Sequence, residues 1–122
     1  MSWSIRFDTE FISEFEELDV RIQDELVAQL SKLQKYGPAL GRPSVDTLKG
    51  SRHHNMKELR FDAFHGVWRV AFAFDRSRKA VLLIAGDKSG VSEQKFYRGL
   101  IRRADERFDR YLMKGDEDVQ NA

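Results

Sequence analysis

The run Ala80 to Gly86 (AVLLIAG) has no polar side chain to offer solvent on either face of an extended chain. A strand of this kind has to be covered on both sides, which predicts a central place in a sheet. Two more strand-like runs precede it, Met56 to Phe61 and Val67 to Phe74. Asp62 to Gly66 and Asp75 to Lys79 supply the turns, so the three runs predict an antiparallel meander. Near the N-terminus, Trp3 to Phe7 alternates large apolar and polar residues and predicts one further short strand.

Between these strands the period changes from two to that of a helix. Asp8 or Thr9 caps a helix with Phe11, Ile12, Phe15 and Leu18 at helical spacing. A second helix starts at Asp19 and carries Ile22, Leu26, Val27, Leu30 and Leu33 on one stripe. Gly37-Pro38 stops it, since glycine takes the left-handed cap and proline cannot continue a helix. Helices joined this tightly form a hairpin. From Ala39 to Asn55 no period is visible, and the stretch reads as a long connecting loop. Ser92 caps a final helix with Tyr97, Leu100, Ile101, Ala104, Phe108 and Tyr111 facing inward. The expected fold is α+β, in the order β-α-α-β-β-β-α. A helical hairpin packs on one face of a curved, mainly antiparallel sheet, and the other face is at least partly open. Residues 1–113 form one domain and residues 114–122 an acidic, disordered tail.

Composition limits the chemistry. With 122 residues the chain is long enough to bury a core without a staple, and its zero cysteines exclude disulfides, thiolate zinc sites and a Cys nucleophile. No apolar run approaches the ~20 residues of a membrane span, and the N-terminus lacks a signal pattern, so the expectation is a cytoplasmic protein with no membrane partner. No histidine or carboxylate spacing matches a metal site, and the glycines fit no phosphate loop, so neither metal nor cofactor is expected. The net charge of +1 conceals a gradient. Residues 1–40 carry four basic and eight acidic side chains, whereas residues 41–79 carry nine basic and four acidic. The middle of the chain is the candidate surface for a polyanion.

Strand alternation assigns the charged residues to faces. Trp68, Val70, Phe72 and Phe74 should meet the helices, which sends Arg69 to the opposite face among Val67, Ala71 and Ala73. Leu59 and Phe61 likewise go to the core, which places Glu58 and Arg60 beside Arg69. Lys57 has core-face parity but lies in the first turn of its strand, where a long stem can reach out. Lys88 follows the last strand, and the loop adds Lys49, Arg52, His53 and His54. Cutting RNA internally needs a base for the 2′-hydroxyl, an acid for the departing 5′-oxygen and cations for the charge on phosphorus. Histidine, glutamate and lysine can move the protons, and arginine's fork suits phosphate. The same Glu58, Arg60 and Arg69 would serve equally as an ion-pair ladder between two strands.

The blocks Gly37 to Pro43 (GPALGRP), His54 to Arg60 (HNMKELR), Trp68 to Asp75 (WRVAFAFD) and Gly86 to Gly90 (GDKSG), followed by Phe96-Tyr97 and Ile101, add a resemblance. Together they resemble the HigB-type branch of the RelE/ParE toxins, small proteins of bacterial and phage toxin–antitoxin modules. The resemblance covers roughly residues 3–112. It implies a metal-independent mRNA endonuclease that works in the ribosome by 2′-hydroxyl attack. It also implies a HigA-like helix-turn-helix antitoxin, through which alone operator DNA is bound. Arg69 matches an arginine used against the scissile phosphate, Tyr97 a tyrosine that stacks on the base or assists the reaction, and Lys88 the lysine closing the last strand.

The sequence departs from RelE-type enzymes at two places. Met56 and Glu58 stand where those enzymes have strand lysines, and Ser89-Gly90 replaces a second arginine. Glu58 or His54, with Lys57 behind them, are therefore the candidates for the base. The full candidate set is Arg69, Glu58, Arg60, His54, Lys57, Lys88 and Tyr97 for catalysis, with Lys49, Arg52 and His53 holding RNA. Two other functions suit the same fold: inhibition of DNA gyrase in the manner of the ParE branch, and a catalytically degenerate member that only binds its antitoxin.

Overall fold

In the computed structural model, which describes residues 2–121 and the side chains of residues 2–114, short polar caps start the first two helices. Strand β1 (Ser4–Phe7) leads into Asp8, whose carboxylate accepts the backbone N–H groups of Glu10 and Phe11 and opens α1 (Thr9–Glu16). Asp19 caps α2 (Val20–Tyr36) in the same way. Gly37, at φ +53°, ends α2, and a Cβ there would meet the Trp3 indole at 2.3 Å. Glycine is therefore needed both for the turn and for the seating of Trp3.

The sheet has five strands in the order β1-β5-β4-β3-β2, with β3 (Met56–Ala63), β4 (Gly66–Phe74) and β5 (Lys79–Asp87) forming the expected meander. β5 lies between β4 and the parallel β1, as its two apolar faces require. The fifth strand, β2 (Val45–Thr47), pairs antiparallel with β3 and comes from the stretch expected to be loop. Three residues are too few to show a period. A short 3-10 turn (Gly37–Ala39) also lies at the start of that stretch.

The hairpin packs on one face as expected, with Phe11, Ile22, Leu26, Leu30 and Leu33 against Leu59, Val70, Phe72 and Leu82. The second face is not open. Helix α3 (Glu93–Asn121) lies across it, seating Leu100, Ala104 and Phe108 on Met56, Ala71, Ala73, Val81 and Leu83. Ala71 and Ala73 are thus small to admit a helix, not a ligand. The tail expected over residues 114–122 lies, beyond Lys114, outside the described side chains. Among the described residues no helix is long and apolar enough to cross a membrane.

One buried cation fastens α3 down. The Arg107 guanidinium donates to the Leu83 carbonyl at 2.8 Å and, through two nitrogens, to both carboxylate oxygens of Glu14 at 2.8 and 2.6 Å. The link joins α3 to β5 and to α1. Glu14 beside it raises the Arg107 pKa further above its ordinary value.

Candidate active site

Register and alternation bring the site together at one end of the sheet. Glu58 pairs with Ala71, and Arg60 lies directly opposite Arg69, so all three charged side chains share the face that α3 covers. Arg69 in turn pairs with Gly86 of β5. A Cβ on Gly86 would stand 2.9 Å from the Phe96 ring, so this glycine lets the first turn of α3 settle on the sheet. The neighbouring residue, Tyr97, then reaches over the strands.

The result is a carboxylate, a guanidinium and a phenol in contact. Tyr97 donates its hydroxyl to Glu58 Oε1 at 2.7 Å, and Arg69 Nε stands 3.3 Å from the same oxygen. Glu58 and Arg69 are only 7% and 6% exposed. Burial at this level keeps a charged pair only where each partner answers the other. Arg69 also donates through Nη1 to the Trp68 carbonyl at 2.9 Å, which fixes the plane of its fork. Both neighbours approach Oε1. Among the described residues no hydrogen bond reaches Glu58 Oε2. Burial, together with the bond to Glu58, raises the Tyr97 pKa, so its hydroxyl keeps its proton at neutral pH.

Cations surround this cluster. Lys88, whose backbone N–H is held by the Val67 carbonyl, puts Nζ 5.9 Å from the centre of the Tyr97 ring. Arg60 and Arg69 face each other across β3 and β4, a like-charge pair that costs energy unless an anion answers it. Asp46 of β2 answers Arg60 at 4.0 Å. Glu93, at the start of α3, meets Lys88 at 2.8 Å. Lys88 lowers the Glu93 pKa most, and Arg69 and Arg60 add to the effect, so this exposed carboxylate lies within the field of all three cations. Neither Asp46 nor Glu93 stands out in the sequence, because strand β2 and the turn before α3 bring them in.

The remaining candidates lie elsewhere. Lys57 is on the hairpin face, donating to Thr47 Oγ1 at 3.1 Å. Arg52 and His53 are drawn onto α3, where both meet Asp109 (2.7 Å for His53 Nε2), and Ser51 bonds Asp105. Lys49 is exposed on the same loop. His54 is exposed beside Asn55, whose amide donates to the Phe74 carbonyl at the far end of β4 from Arg69. About 17 Å of strand separates Phe74 from Arg69. Among the described residues no group of three or more His, Asp or Glu side chains is placed to hold a metal ion.

This sheet order, with a hairpin on one face and a helix closing the other, is a RelE-like fold. A solved structure of a mutant of E. coli toxin RelE in the free state shares the fold, with a TM-score of 0.60 over 83% of this chain and 95% of that one at 13% identity. The chain belongs to the Phage derived protein Gp49-like family, whose model matches residues 13–109, and is a HigB-type member of it. It is 43% identical over 101 residues to the toxin candidate HigB2 of Mycobacterium tuberculosis, covering 82% of this chain and 50% of that protein. To the toxin candidate HigB3 of the same organism it is 46% identical over 80 residues, covering 66% of this chain and 68% of the relative. The chain thus spans about half the length of HigB2.

Proposed function

We propose that this chain is the toxin of a toxin–antitoxin module and cuts mRNA in the ribosome, using the Glu58–Arg69–Tyr97 cluster. The observation that carries this reading is the asymmetry at Glu58: Tyr97 and Arg69 engage Oε1, and Oε2 is left for a substrate proton. Glu58 takes the proton of the ribose 2′-hydroxyl on Oε2 as the 2′-oxygen bonds to phosphorus. The bond from phosphorus to the 5′-oxygen breaks, leaving a 2′,3′-cyclic phosphate. The departing oxygen takes a proton from Tyr97 or Lys88, the two donors beside the cluster. Arg69, Arg60 and Lys88 offset the charge on the phosphate oxygens, a role that preorganised cations fill at low reorganisation cost.

Lys57 and His54 have no part in this scheme, since one faces the hairpin and the other lies at the opposite end of β4. The scheme needs no cofactor. The similarity to the toxin candidates HigB2 and HigB3 supports an antitoxin as partner; a HigA-like antitoxin and action in the cytoplasm complete the proposal. The test is brief expression of the chain alone, followed by mapping of new mRNA 5′ ends, with Arg69→Gln in parallel. Cuts inside translated codons that vanish in the variant support the proposal. Growth arrest with intact mRNA would instead favour a target such as gyrase.

A further inference from the structure

A cleft of about 1280 Å³ opens at the other end of the sheet, where β1, the β4–β5 turn and the C-terminal half of α3 meet the loop before β3. Its carboxylates are already engaged. Asp75 accepts the Tyr111 hydroxyl on one oxygen at 2.6 Å and the backbone N–H groups of Ser77 and Lys79 on the other. Asp8 caps α1 and faces Arg107 and Arg110.

Several of its cations are not engaged. Arg6, Arg76 and Lys79 line the cleft, and among the described residues none of them has a carboxylate within salt-bridge distance. Arg6 is placed with its guanidinium 5.6 Å over the Tyr111 ring, and that ring is pinned by Asp75 and stacked on Phe108. Four separate stretches of sequence thus converge on one concave surface with positive charge to spare. Charge of this kind, held on backbone-anchored elements and without a carboxylate partner among the described residues, suits a chain of phosphates.

We infer that this cleft binds the phosphate backbone of RNA, as a second contact about 17 Å along the sheet from the cluster that cuts. The inference rests on the nuclease reading for the identity of the polyanion. Its contacts are to phosphate, so the binding is independent of sequence and falls steeply with salt.

The probe is a fluorescent 20-nucleotide 2′-O-methyl RNA, which binds but has no 2′-hydroxyl to attack. Anisotropy titrations across a salt series compare the native chain with Arg76→Gln/Lys79→Gln, both residues lying clear of the cutting cluster. The expected result is an affinity lower by about tenfold and a log–log salt slope shallower by about 1.4, the value for two lost phosphate contacts on a single strand. Unchanged affinity and slope overturn the inference. So does an oligoglutamate peptide of equal charge that competes as well as RNA, since the cleft would then be an acidic-protein site. Binding that falls in the variant while cells show no codon cuts would retain the cleft and sink the nuclease reading. Codon cuts with binding unchanged would do the reverse.

Discussion

The Tyr97 hydroxyl lies 2.7 Å from Glu58 Oε1, a bond that joins the first turns of α3 to the middle of β3. It orients a buried carboxylate that Arg69 holds from a second direction. The three groups of the cluster are therefore set by the docking of a helix on a sheet, not by a loop.

Substituting either end of that bond should separate fold from activity. Tyr97→Phe removes one hydrogen bond to a charged group, with a stability cost of about 1.5–3 kcal/mol. Glu58→Gln keeps an acceptor for Tyr97 but loses the proton acceptor. Each variant is expected to remain folded by circular dichroism and to lose roughly a hundredfold or more in RNA cleavage. A Glu58→Gln protein with native cleavage rates would move the base elsewhere.

On the proposed reading, Glu93 occupies ground that a substrate phosphate would need. Its carboxylate holds Lys88 at 2.8 Å and is kept ionised by that lysine first, then by Arg69 and Arg60. Glu93→Gln is expected to tighten RNA binding by roughly two- to fivefold at low salt, with the gain fading as salt screens it. Parallel binding curves at two salt concentrations check this, and weaker binding in the variant would show that Glu93 aids the substrate.

Arg107 is a structural residue. Truncation to alanine leaves the Leu83 carbonyl buried without a donor and frees α3 from α1. Arg107→Ala should lower unfolding stability by about 2–3 kcal/mol, read from the urea midpoint. Arg107→Lys, which keeps the charge but loses the fork, should recover only part of that.

Alkaline pH provides an independent check on the far cleft. Burial first, and then the bond to Asp75, push the Tyr111 pKa up to about 12. A pKa raised by folding means the native state favours the neutral phenol. Its contribution to stability is thus complete below pH ~10 and is lost as pH rises towards about 12. Denaturant midpoints between pH 8 and 11.5 should fall for the native chain. In Tyr111→Phe they should start lower and fall less over the same range.

Much of the fold follows from local pattern. Asp8, Asp19 and Gly37 mark the helix boundaries, and the parity of Trp68 to Phe74 assigns both faces of β4 correctly. β2 was hidden because three residues carry no period. The covered second face was hidden for a different reason. Ala71 and Ala73 look like space for a ligand until paired with Leu100, Ala104 and Phe108, a match made across some thirty residues of sequence. Parity also put Glu58 beside Arg69, whereas Tyr97 came from the family resemblance. Arg107 left one signal: it lies between Ala104 and Phe108 on the inward stripe of α3, where a cation has to find buried partners.

The burial of Arg69 and Glu58 makes Arg69→Ala a poor probe of catalysis. Removing Arg69 altogether strands the Glu58 carboxylate in a nearly dry site, a loss of about 3–5 kcal/mol for a buried pair. Arg69→Gln, which keeps a donor near Glu58, is the cleaner probe of catalysis.

The chemistry of the cut ends tests the central claim most directly. Purified protein is mixed with ribosomes stalled on a defined mRNA, and the termini of the fragments are identified. Attack by the 2′-hydroxyl predicts a 2′,3′-cyclic phosphate upstream and a 5′-hydroxyl downstream, both absent with Glu58→Gln. Uncut mRNA, or fragments ending in a 3′-hydroxyl, would contradict it, because the latter requires water as the nucleophile.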